Sequence, residues 1–175
     1  MKKKGLIMAS VLSIALLSGC GTKEYHPVSI EENVDKCSVC NMQVADNQHS
    51  TEIILKDGKA LKFDDIGCLN EWEKKNGTEQ VGAEYVRDYN TKEWVPLKEA
   101  SFIYDKTFKT PMGYGIYSFK DKGAAQTFLN GQGKGKLMNA NDLHSHTWER
   151  NMDMMHKMKH GHSDSMKMDK KGADS

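Results

Sequence analysis

The chain has no excess of either charge, no second Cys-x-x-Cys pair, and no Ser/His/Asp set, phosphate loop or paired-carboxylate site. Each absence removes a class of function. With 25 basic and 24 acidic side chains in 175 residues, the charge balance gives no reason to expect nucleic acid or a strongly anionic surface as partner. Without a catalytic constellation there is no basis for an enzyme. A structural zinc site needs four closed ligands, and no further Cys or His partners stand at recognisable spacing. Beyond the first 17 residues no apolar run approaches the ~20 residues of a membrane span. From His144 to the C-terminus there is no leucine, isoleucine or valine.

What is present begins with a targeting segment. Lys2, Lys3 and Lys4 precede a short apolar run, Leu6 to Leu17, and Leu17-Ser18-Gly19-Cys20 closes it. This resembles a bacterial lipobox, so residues 1–19 are expected to be a lipoprotein signal peptide, with Cys20 lipid-modified. Its removal takes three lysines and no acids, leaving 22 basic against 24 acidic side chains. The expected location is the outer face of the cytoplasmic membrane, or the periplasmic side of an envelope membrane. Export then leaves Cys37, Cys40 and Cys68, an odd number that cannot all pair within one chain.

Between the ends, the pattern predicts an α+β body. Thr51 to Leu55 and Ala60 to Phe63 read as strands joined through Asp57-Gly58, a hairpin signal. Asp65 is placed to cap a helix running to about Lys75, with Leu69 and Trp72 on its inner face and Asn76-Gly77 at its end. Tyr85 to Tyr89 returns as a strand. At an offset of 56 residues, Asp65, Trp72 and Gly77 fall on Asp121, Phe128 and Gly133. Ser101 to Tyr104, Gly115 to Ser118 and Lys136 to Met138 supply the second unit's strands. The expectation is two similar ββαβ units, about residues 50–90 and 100–139, forming one compact body within residues 37–143. Residues 20–36 form a lipid-anchored linker, and residues 144–175 a disordered tail rich in histidine and methionine.

The chemistry concentrates in Cys37-Ser38-Val39-Cys40-Asn41-Met42, three soft sulfur donors within six residues. Cu(I) prefers thiolate and thioether, whereas a neutral thioether suits zinc poorly. A c-type haem is excluded, because Asn41 stands where histidine is required. A Cys37–Cys40 disulfide and thioredoxin-like exchange remain rivals to a metal. Cys68, in the first turn of the first helix, is a third candidate, its thiol expected to be acidified by the helix dipole. Its alternative role is that of a small buried hydrophobe, since Ala124 takes the matching place in the repeat. Met112, in the turn-rich Lys109-Thr110-Pro111-Met112-Gly113, is a further thioether candidate. The tail offers His144, His146, Met152, Met154, Met155, His156, Met158, His160 and His162, with Met166 and Met168 beyond, as copper-collecting donors or as a solvated extension. His26 and His49 read as surface residues.

As a set, the lipobox, Lys36-Cys37-Ser38-Val39-Cys40-Asn41-Met42, Phe63-Asp64-Asp65-Ile66-Gly67-Cys68, Tyr85-Val86-Arg87-Asp88-Tyr89, Glu93-Trp94 and Thr110-Pro111-Met112-Gly113 resemble the NosL lipoproteins in order and spacing. The resemblance runs from Cys20 to about Leu143. It implies a fold of two ββαβ units and a copper-binding accessory lipoprotein that delivers Cu(I) to apo nitrous-oxide reductase for assembly of its copper-sulfide centre. It further implies Cys40, Met42 and Met112 as ligands; Cys37, the other member of the Cys-x-x-Cys pair, is read from the residues themselves as a second thiolate. Asn41 stands where the family usually has glycine, and the His/Met-rich tail departs from the common pattern. A copper-sequestering lipoprotein without a dedicated client is the alternative function, with the tail doing most of the binding.

Overall fold

A computed structural model describes residues 23–153. Its elements run in the order β1 (Thr51–Leu55), β2 (Ala60–Phe63), α1 (Ile66–Asn76), β3 (Val81–Arg87), β4 (Trp94–Pro96), a single 3-10 turn (Leu97–Glu99), β5 (Ser101–Tyr104), β6 (Ile116–Phe119), α2 (Lys122–Gln132), β7 (Lys136–Asn139) and α3 (Ala140–His144). Two antiparallel sheets result, ordered β2-β1-β3-β4 and β6-β5-β7. In each unit the first strand is flanked by the second and third, and the helix crosses between those two. The α+β class and the paired ββαβ units therefore stand.

The local reasons are those legible in the chain. Gly58 takes φ +96° at the β1–β2 turn, where the Asp57 carboxylate accepts from Lys59 N at 2.9 Å. Asp65 and Asp121 cap α1 and α2 by accepting from Gly67 N and Ala124 N, and Gly77 and Gly133 end both helices. The units differ in one loop. Five residues separate the paired ends Ile54 and Ala60, whereas eleven separate Tyr104 and Ile116. Those six extra residues include the Thr110–Gly113 turn, and they carry it across to the first helix.

Three boundaries differ from expectation. β3 begins at Val81 and stops at Arg87, because Asp88 draws the chain into a turn. Its carboxylate accepts from Asn90 N, Thr91 N and Lys120 N. The linker is bound to the sheet from Lys23 onward. Glu52 and Lys62 form a buried ion pair at 3.2 Å, and both reach into this segment, Glu52 accepting from Val28 N and Lys62 donating to the Val28 and Ser29 carbonyls. Such a pair is tolerable in a dry setting because the remaining polar sites are filled by backbone. Tyr25 lies against Gly82, where a Cβ would clash with its ring.

The third difference lies at the other end. The chain after Leu143 stays packed through Asn151, with Trp148 covering both the first core cluster and the one around Phe102. No aliphatic residue signals this; an indole ring and a guanidinium supply the contact.

Candidate metal centre

The site is assembled from two turns that β2 brings together. The Cys37–Met42 turn is closed by Cys37 N donating to Met42 O at 2.8 Å and Asn41 N donating to Cys37 O at 2.9 Å. Asn41 takes φ +59°, a left-handed conformation that asparagine accepts more readily than most residues. Ser38 N donates to Lys62 O at 2.9 Å, fixing the turn to β2 one residue before Phe63. The strand then passes Asp64 and enters α1, whose third residue is Cys68.

As a result, the sulfurs of Cys37, Cys40 and Cys68 and a carboxylate oxygen of Asp64 all lie within 4.8 Å of one another. Cys37 and Cys68 are buried, Cys40 is half-buried, and all three are free thiols. Sequence reasoning missed Asp64. It sits in the Phe63–Cys68 motif, but a carboxylate at a strand-to-helix junction carries no signal of its own.

Electrostatics divide the thiols. A hydrogen bond from the Cys68 thiol, with help from backbone donors, holds Cys37 down to about 4 against the opposing effect of burial. The Cys68 thiol is raised, first because it donates to Cys37 and then by burial. The expected dipole acidification of Cys68 is thus overridden by a short-range proton donation to its neighbour. Burial pushes Cys40 up to about 12, and its Sγ donates to the Asp64 carboxylate at 3.4 Å. Asp64 is itself raised to about 6, mainly by burial and then by the Cys37 charge. At neutral pH the metal-free protein is therefore expected to show the ultraviolet absorbance of one thiolate. That signal should be half lost near pH 4 and be absent in Cys37→Ser. Thiolate absorbance appearing only under alkaline conditions would contradict the assigned proton pattern.

Met112 is buried in the same packed cluster as Cys37 and Cys68. Its N–H donates to Asp65 Oδ2 at 3.0 Å, so the residue that caps α1 also holds the second unit's loop. Tyr114, from that loop, lies on Gly67, where any Cβ would fall inside the ring. Met42 is 48% exposed, at the edge of the cysteine turn. The structure thus brings together Cys37, Cys40 and Cys68, with Met112 in the same buried cluster and Met42 at the surface.

The tail residues are not gathered here. His144 is exposed at the end of α3, and Met152 is also exposed. His146 packs edge-on against Tyr104 and Trp148, with ring centroids at 4.5 and 5.3 Å. Cys20, Met154, Met155, His156, Met158, His160 and His162 lie outside the described residues. His26 is exposed as expected, but His49 packs against Tyr89 and Tyr117, where burial lowers its pKa to about 4.

Soft donors on a closed turn, a strand end and a helix start define a small α+β domain with a thiol centre suited to a soft metal ion. The chain belongs to the NosL family, whose model matches residues 27–148. Among solved structures it is similar to that described as the copper chaperone NosL from Shewanella denitrificans. The two are 23% identical with a TM-score of 0.58, over 67% of this chain and 94% of that one. A search of the curated proteins finds no match.

Proposed function

We propose that this protein is an exported, lipid-anchored Cu(I) chaperone that delivers copper for maturation of nitrous-oxide reductase. The observation that carries this is the convergence of Cys37, Cys40 and Cys68 within 4.8 Å, beside Asp64. Three thiol sulfurs in one partly buried centre match the preference of Cu(I) for soft donors. Met112, buried in the same cluster, and Met42, at the surface, add neutral thioether donors that strengthen binding without further charge. A cargo site must also release its metal, and thioether contacts exchange more readily than a closed set of four thiolates.

Binding is coupled to proton release. Cu(I) meets an existing thiolate at Cys37, its capture by Cys40 displaces that thiol's proton toward Asp64, already in contact with the sulfur, and capture by Cys68 releases a second proton to solvent. Cys40 is the principal anchor, Cys37 and Cys68 are the companion thiols, and Met42 lies on the face from which a client can take the metal. The lipobox-like Leu17–Cys20 segment supports membrane attachment through Cys20, and the family supports the client. The similar Shewanella denitrificans structure, itself described as that of a copper chaperone, supports the cargo.

The test is anaerobic Cu(I) competition against a chromophoric chelator, followed by activation of apo nitrous-oxide reductase. Cys40→Ser with Met42→Leu is expected to weaken binding by about 100-fold or more, a loss on the order of 3 kcal/mol, and to abolish transfer. Unchanged stoichiometric binding in that double variant would sink the proposal. Normal binding in the wild type with no activation of the enzyme would favour sequestration.

A further inference from the structure

The last described residues turn back onto the loop that carries Met112. Trp148 takes φ +54°, a left-handed conformation that a bulky residue holds only under outside constraint. Its Nε1 donates to Leu143 O at 3.0 Å, and its ring meets Tyr114 edge-on at 6.0 Å. Two residues further, Arg150 Nε donates to Met112 O at 2.8 Å. Nη2 of the same guanidinium lies 3.9 Å from the Met112 sulfur. Asn151 N donates to Gly113 O at 2.8 Å, and its side chain donates to Lys106 O at 2.8 Å.

These contacts are not equivalent. Asp65, which accepts from Met112 N, and Asn151 both hold the backbone of the loop. Among the described residues, Arg150 alone places a hydrogen-bond donor on the thioether. A methionine side chain turns about three bonds, so a fixed backbone still leaves the direction of its sulfur open. The guanidinium closes that freedom because its donors are rigidly spaced, one on the carbonyl and another on the sulfur of the same residue. Its carbon also sits 5.7 Å from the centre of the Tyr114 ring, which itself lies on Gly67, the residue before Cys68. Arg150 stands two residues past the end of the family match.

We propose that Arg150 is a positioning residue for copper capture, holding the Met112 thioether in the conformation in which it meets the metal. This rests on the proposed role as a Cu(I) chaperone, in which Met112 is a neutral donor to the thiol centre. A thioether sulfur carries two lone pairs. Arg150 engages one and leaves the other to Cu(I), so the copper–sulfur bond forms with no proton released and no change of oxidation state. Ordering a free methionine side chain at the moment of binding would weaken affinity by about tenfold. With the side chain ordered beforehand, that loss does not fall on binding. The charge of Arg150 does not oppose the metal either, since Cu(I) held by the Cys37 and Cys40 thiolates is a net anion.

The experiment is a double-mutant cycle on the full-length protein in detergent, pairing Arg150→Lys with Met112→Leu and reading Cu(I) affinity by anaerobic chelator competition. Lysine keeps the charge and a donor for the Met112 carbonyl, but it has no fixed fork to hold carbonyl and sulfur together. Arg150→Lys should weaken binding by about tenfold and Met112→Leu by at least as much. The double variant should bind no worse than Met112→Leu alone. In metal-free protein carrying methyl-labelled methionine, the order parameter of the Met112 methyl should be lower in Arg150→Lys than in wild type. Arg150→Gln, which keeps one donor for the carbonyl, should match the lysine variant and replaces it if thermal unfolding shows the latter misfolded. Unchanged affinity, or an unchanged methyl order parameter, overturns the assignment. So do losses that add in full, because Arg150 would then act other than through Met112. Wild-type affinity in Met112→Leu overturns it as well and leaves the thiol chaperone standing. A wild type that binds no Cu(I) sinks the chaperone reading itself, and the role of Arg150 with it.

Discussion

Replacing Cys68 with alanine is expected to lower Cu(I) affinity by about 100-fold or more while leaving the domain folded. The two roles open to this residue, ligand and small hydrophobe, make opposite forecasts for that substitution. In the repeat, Ala124 holds the matching third position of α2, and a helix of the same eleven-residue length forms around it. An alanine at residue 68 is thus already accommodated by this architecture, at a cost of about 1 kcal/mol for the lost sulfur contacts. Binding responds differently. The Cys68 sulfur lies within 4.8 Å of the sulfurs of Cys37 and Cys40, so its loss removes one of three thiol donors. It also removes the hydrogen bond that chiefly holds Cys37 in its thiolate form. Chelator competition and thermal unfolding on the same sample separate the two roles. Unchanged affinity with a lowered melting temperature would make Cys68 a packing residue only.

This residue also marks how far the fold and the site are legible in the chain alone. Features set by neighbours in sequence are legible: the Asp57-Gly58 turn, both aspartate caps and both terminating glycines are local devices, and the 56-residue repeat follows from them. Cys37, Cys40 and Met42 are legible for the same reason. Cys68 is 28 residues from Cys40, and only the docking of the cysteine turn on β2 through Ser38 and Lys62 joins them. Met112 approaches from the other unit, carried by a hairpin loop six residues longer than its counterpart. Asp64 and Arg150 could not be singled out, since charged residues are common and their partners here are distant in sequence. Asp88 ends β3 early by capturing amides from two different loops, a tertiary competition with no period to detect.

Asp65→Ala is expected to cost about 3 kcal/mol or more of stability and to weaken Cu(I) binding beyond what Asp65→Asn does. The Asp65 carboxylate is 1% exposed and accepts from Gly67 N at 3.1 Å and Met112 N at 3.0 Å. Alanine leaves both buried amides unsatisfied, at about 1–3 kcal/mol each, and removes the cap of α1. The Met112 loop then loses this anchor to α1 and keeps those from Arg150 and Asn151. Asparagine keeps an acceptor oxygen and so should retain much of the stability. The two variants also separate in pH dependence. Burial raises the Asp65 carboxyl from 3.8 to about 6, so the folded state holds its proton more tightly than the unfolded chain does. That contribution is complete below about pH 4 and is lost as pH rises through 6. Asp64, raised in the same direction, acts likewise. Cys37 and His49, both lowered to about 4, oppose this loss equally in the two proteins, so metal-free wild type should lose more stability than Asp65→Asn between pH 4 and pH 7, by on the order of 3 kcal/mol. Denaturant unfolding across that range measures it, and the same slope in both proteins would mean that Asp65 is not desolvated.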